Sequence, residues 1–149
     1  MLDPAFIFGF ANTFGLLAWL ALLASLFVPR IRIALWPVTQ FVIPVLWAVA
    51  YVVLLIQGMP ETEGSFSSIE GVRSLFASDS ALTAGWLHYL AFDLFVGTWI
   101  ARDSVERGVH GLLVAPCLGL TLMFGPAGLL LYLALRAVRL RRAPAAPGQ

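Results

Sequence analysis

The sequence predicts an all-helical polytopic membrane protein, a bundle of four transmembrane helices, and three observations predict it. Of 149 residues, 60% are hydrophobic and only 11% are charged, with a mean hydropathy of +0.91, whereas ordinary globular chains carry about a quarter charged residues. The apolar residues fall into four runs long enough to cross a hydrocarbon core of roughly 30 Å. The polar residues gather between those runs, where Pro, Gly and Arg punctuate the chain. The same figures exclude disorder, which needs few apolar residues. They also exclude nucleic acid as a partner, because the net charge is +1 and the arginines lie in loops and a tail.

The first run, residues 6–28, is free of charge over 23 residues. Its flank of Asp3 and Pro4 lacks the basic start of a signal peptide, so it reads as an uncleaved span. Pro29, Arg30, Arg32 and Pro37 form a turn. The second span covers 38–56, with Pro44 inside it as an expected kink. Residues 57–79 are an aqueous loop whose middle, 69–77, suits a short amphipathic helix at the membrane surface, with Val72, Leu75 and Phe76 on one side. The third span, 82–100, closes on Arg102, Asp103, Glu106 and Arg107. The fourth, 112–135, carries Pro116 and Pro126 and is expected to bend at each. The helical domain thus covers 1–136, and 137–149 is a mobile tail rich in Arg, Pro and Ala. With four spans the arginines divide almost evenly between the two sides, so the positive-inside rule leaves orientation open.

Small residues let helices approach in lipid. Ala11, Gly15, Ala18, Leu22 and Ser25 make one stripe of the first span. Cys117, Thr121, Gly125, Gly128 and Tyr132 make one in the fourth. In the second span Gln40, Pro44, Trp47 and Tyr51 share a face, either as bridging and interfacial groups or with Trp47 and Tyr51 lining a cavity.

The absence of lysine excludes a Schiff base, and a single cysteine, Cys117, excludes an internal disulfide or a thiolate cluster. Cys117 reads as a packing residue, and His110 as a solvated one. No metal site is expected among these residues. The informative pair is His88 and Asp93, both inside the third span, where ionisable groups are costly and mark substrate paths, proton relays or counter-ions. Five residues apart on a helix, they point about 140° from each other and flank a face holding Gly85, Tyr89 and Phe92, with Trp86 beside Asp93. That geometry suggests an apolar chamber with two proton-exchanging groups at its edges. The alternative is structural, with Asp93 tied to Asn12, Thr121 or backbone. Asn12 serves either as helix-to-helix glue or as part of the chamber wall.

Residues 82–95, with Gly85, Trp86, His88, Tyr89, Phe92 and Asp93 in order, resemble the hallmark of the abscisic-acid-deficient-four-like family of small integral membrane proteins, whose plant members are associated with neoxanthin synthesis. Pro29 at the end of the first span, Pro116, Cys117 and Leu118 opening the last, and residues 125–130 within it follow the same pattern. The resemblance implies isomerisation of an epoxidised carotenoid to an allenic alcohol, with His88 and Asp93 as acid and base in either order. It implies an apolar isoprenoid or carotenoid as substrate, and the residues that the helical faces offer to hold it are Trp86, Tyr89, Phe92, Gly85, Trp47, Tyr51 and Asn12. It calls for no cofactor, since an isomerisation has no net redox change. Short loops and a basic inventory of arginine alone suggest a bacterial cytoplasmic membrane, with membrane lipid as neighbour and self-association left open. The competing reading is a non-catalytic protein that binds or hands over a pigment or lipid.

Overall fold

A computed structural model describes residues 2–59 and 64–142. The chain is helical throughout its regular structure: α1 (Pro4–Ser25), α2 (Arg32–Pro37), α3 (Ile43–Gly58), α4 (Ile69–Leu75), α5 (Asp79–Glu106), α6 (Gly111–Phe124) and α7 (Pro126–Arg142). The helix starts are chemically marked. Asp3 accepts from the Ala5 and Phe6 amides ahead of Pro4, Ser68 accepts from Gly71, and Ser78 accepts from Ala81, each satisfying N–H groups that a first turn leaves free. Among the described residues, α1 and the continuous run Pro29–Gly58 are long and apolar enough to cross a membrane.

α5 is the axis of the molecule. α1 runs parallel to it, with Asn12 at the level of Trp86 and Trp19 at the level of Gly97. α3 runs antiparallel, so that Thr39 meets Thr98 and Tyr51 meets His88. The buried residues of α1 are Ala11, Gly15, Ala18, Trp19, Leu22 and Ser25, the expected small-residue stripe with one tryptophan added. Gly97 is buried under the Trp19 ring, which occupies the place of a side chain. The short helix α4 forms as expected and buries Leu75.

Two expectations are corrected. The second helical run begins at Pro29 rather than at residue 38, passing through a 3₁₀ turn at Pro29–Ile31, α2 and a π turn at Val38–Val42 before α3. Pro37 and Pro44 each remove one helical N–H, and the widened turn lies between them. There the Thr39 hydroxyl donates to the Leu35 carbonyl at 3.2 Å.

The larger correction concerns the expected fourth span. Residues 112–135 are not one bent helix but two helices folded against each other. α6 passes through Pro116 uninterrupted and stops at Gly125, where φ is +42° and ψ is −95°. A side chain at that φ is strained, and glycine escapes the penalty. α7 then runs back beside α6. The backbone of Gly128 lies against the Thr121 amide and the Cys117 carbonyl, and Tyr132 reaches Asp103 near the end of α5. The stripe Cys117, Thr121, Gly125, Gly128 and Tyr132 is buried throughout, as the two sides of a hairpin seam. α7 continues to Arg142, so the first part of the expected tail is helical, and 143–149 lie outside the described residues.

Candidate functional site

The 140° between His88 and Asp93 sends them to different walls of α5. His88 faces α3, its ring 4.6 Å from that of Phe92 and 5.8 Å from that of Tyr51. It borders a pocket of about 250 Å³ with Tyr51 and Leu55, roofed by Phe66, Leu75 and Phe76. The Phe76 ring presses onto Gly85, where any side chain would displace it. His88 is solvent-accessible in the isolated chain, and no hydrogen bond holds its imidazole among the described residues.

Asp93 faces the tip of the α6–α7 hairpin. Its carboxylate lies against Gly125, so close that a Cβ there would stand 2.8 Å from Oδ1 and 3.1 Å from Oδ2. Among the described residues Oδ2 is buried without a hydrogen-bond partner. Tyr89, one turn earlier on α5, donates its hydroxyl to the Leu122 carbonyl at 3.1 Å. That carbonyl is available because α6 ends at Phe124, leaving the last turn short of helical donors.

From Tyr89 the polar lining extends outward. Trp86 stacks on Tyr89 at 5.2 Å, and its indole N–H donates to Asn12 Oδ1 at 2.8 Å. These three residues, with Trp19, Leu122 and Met123, border a groove of about 350 Å³ between α1, α5 and α6. The Trp19 indole N–H is buried and has no partner among the described residues. A buried donor or acceptor left unmade costs about 1–3 kcal/mol, so the two orphans, Trp19 Nε1 near the groove and Asp93 Oδ2 one turn from Tyr89, mark where a polar group of a ligand would be stabilised.

The single chamber expected from sequence is therefore two cavities on opposite faces of α5. Asn12, Trp86 and Tyr89 come together in the groove, whose wall does not include Asp93. His88, Tyr51 and Gly85 come together in the other pocket, and Phe92 lies against His88 with its outer face exposed. Trp47 lines neither cavity. It is buried in the core, its ring tip at 3.2 Å from where a Cβ of Gly15 would stand. The structural tie expected for Asp93 is absent among the described residues, since Asn12 accepts from Trp86 and the Thr121 hydroxyl donates to the Cys117 carbonyl at 2.8 Å.

Three participants escaped the sequence reading. Trp19 gave no polar signal. Gly125 read as part of a packing stripe. Asp103 read as a charge at the water edge, yet it is buried and receives the Tyr132 hydroxyl at 2.5 Å and the Arg107 guanidinium at 2.8 Å, with Arg136 at 3.4 Å. Tyr132 falling on the same stripe as Gly125 was the one available hint. Among the described residues no three His, Cys, Asp or Glu side chains converge where a metal ion could sit.

The family model described as ABA DEFICIENT 4-like matches residues 6–132, a stretch that holds both cavities and the hairpin turn. No curated protein and no solved structure matches the chain.

Proposed function

This chain belongs to the ABA DEFICIENT 4-like family, a family of carotenoid-related membrane proteins, and from that premise we propose that it is a membrane-embedded enzyme isomerising a carotenoid or another long isoprenoid at Asp93. The observation that carries this reading is the Asp93 oxygen left unpartnered among the described residues, one helical turn from Tyr89, which lines a groove walled by aromatics. A carboxylate oxygen buried without a hydrogen-bond partner among the described residues is free to exchange a proton with a substrate. In an epoxide-to-allene isomerisation one C–O bond and one C–H bond break while an O–H bond and the second C=C bond of the allene form, the C–H electron pair becoming that double bond, so one group must supply a proton and another must remove one. Asp93 and Tyr89 are adjacent enough to divide that task. His88, on the far wall of α5, acts on the ligand of its own pocket. In this reading α1, the run through α2 and α3, and α5 cross a bacterial cytoplasmic membrane, while α6 and α7 enter and leave it on one side.

The divergence of His88 and Asp93 favours one competing reading, a carrier that holds a pigment or lipid without changing it. Turnover separates the two. Membranes containing the chain are expected to convert an added epoxy-carotenoid, with Asp93→Asn losing conversion by at least about a hundredfold, the usual scale for removing a proton-transfer group, and Tyr89→Phe losing less. His88→Ala is expected to retain conversion at the groove. Bound pigment that copurifies unchanged with the wild-type chain, and no conversion in its membranes, would overturn catalysis in favour of the carrier.

A further inference from the structure

The hairpin decides where the arginines go. α6 starts at the end of the bundle where α5 stops, because only residues 107–110 join them, and α7 returns to that same end. There Arg136 approaches Asp103 at 3.4 Å and stands over the Trp99 ring at 5.9 Å. The other basic groups of this end are held in place by neighbouring elements. Arg32 donates to the Ser25 and Leu26 carbonyls at the close of α1, and Arg102 donates to Gln40 at 2.6 Å. Arg30, Arg107 and Arg139 are exposed. Six arginines therefore share one end with Asp103 and Glu106 as its acidic groups. The opposite end, where α1 and α5 begin and α4 lies, carries Asp3, Glu70 and Asp79, with Arg73 as its one arginine among the described side chains. A fourth crossing would have delivered Arg136 and Arg139 to that acidic end and erased the asymmetry. With 14 residues, α6 reaches about 21 Å, short of the roughly 30 Å needed to cross.

We infer that the arginine end is the cytoplasmic face of this protein and rests on anionic lipid headgroups, with the N-terminus and α4 at the opposite surface. The inference rests on the reading of the chain as a membrane protein. Basic residues close to span ends are retained on the cytoplasmic side, and the anionic lipids of that leaflet attract arginines near the surface. Arg30 and Arg139 are exposed at this end, where long cationic side chains can reach the headgroup layer, whereas Arg32, Arg102 and Arg136 are half-buried and spend their guanidinium groups on the bundle itself.

Three variants of the full chain, Ser67→Cys, Glu106→Cys and Pro147→Cys, test the sidedness in a bacterial host treated with a membrane-impermeant maleimide before and after permeabilisation. The unmodified chain, whose Cys117 is buried in α6, supplies the background. Ser67→Cys is expected to label in intact cells, and Glu106→Cys and Pro147→Cys only after permeabilisation. Labelling of Pro147→Cys together with Ser67→Cys in intact cells overturns the hairpin topology. Labelling of Glu106→Cys and Pro147→Cys in intact cells, with Ser67→Cys protected, overturns the orientation. Recovery of the chain outside the membrane fraction instead overturns the reading it rests on. For the headgroups, the purified protein is expected to melt higher in nanodiscs containing phosphatidylglycerol than in phosphatidylcholine alone, with the gain reduced in Arg30→Gln/Arg139→Gln. Equal melting in both lipids overturns the anionic contact.

Discussion

Gly128→Val is expected to leave almost no folded protein. The Cβ would fall on the backbone amide of Thr121 and the backbone carbonyl of Cys117, and backbone atoms within a packed helix cannot step aside as a flexible side chain can. Forcing extra carbon into a packed contact typically costs 1–3 kcal/mol where side chains can adjust. Here the two helices themselves must part, so a loss above about 3 kcal/mol is expected, in the range reserved for a few named mechanisms. Parting them would also withdraw Gly125 from Asp93 and Leu122 from Tyr89, so the groove would be lost with the hairpin. Gly119→Ala is the control, because that position meets nothing within 4 Å and alanine is the better helix former by roughly 1 kcal/mol. Yield of monodisperse protein in detergent and thermal unfolding followed by circular dichroism would read both. A Gly128→Val chain that melts with the wild type would mean that α6 and α7 do not pack as described.

Asp103→Ala is expected to cost about 2 kcal/mol, mostly the roughly 1–3 kcal/mol of leaving the buried Tyr132 hydroxyl without its acceptor, because the arginine partners are partly exposed and their pairing adds little. Tyr132 is fully buried and Asp103 is 9% exposed, so the abandoned hydroxyl gains no water in exchange. Arg136 loses its carboxylate at the same time, and its Nε is already buried without a hydrogen bond of good geometry. Tyr132→Phe removes one hydrogen bond and leaves Arg107 and Arg136 paired, so about 1 kcal/mol is expected. Asp103→Asn should lie between the two, keeping an acceptor for Tyr132 but no charge for the arginines. An Asp103→Ala chain as stable as the wild type would show that α7 is held by its seam with α6 alone.

Much of this molecule is legible along the chain because helix periodicity is a local property. The stripe from Ala11 to Ser25 could be drawn with no knowledge of what it would touch, and so could the divergence of His88 and Asp93, which follows from 100° of rotation per residue. That divergence already implied two walls. Treating the pair as flanking one chamber assumed that a cavity would open over the residues between them, whereas α3 covers one side and α1 with α6 covers the other. Trp47 illustrates the same limit. Its spacing placed it on the inward face with Tyr51, but only the position of Gly15 on another helix decided that it fills the core and lines neither cavity.

The hairpin was hidden for a different reason. Apolar run length measures how much chain can sit in hydrocarbon and carries no direction, so residues 112–135 read equally well as one crossing or as a descent and a return. Gly125 followed by Pro126 looks like a kink in either case. What makes it a reversal is contact between residues remote from each other in sequence, Gly128 against Cys117 and Tyr132 against Asp103, and those contacts exist only after the helices have packed. Composition and helical period alone therefore determined that this chain is helical and apolar, which faces its helices bury, and which ionisable groups sit deep within them. Which walls those groups share, and to which end the last arginines return, was decided by tertiary structure, because both depend on which helices meet rather than on how any one of them is patterned.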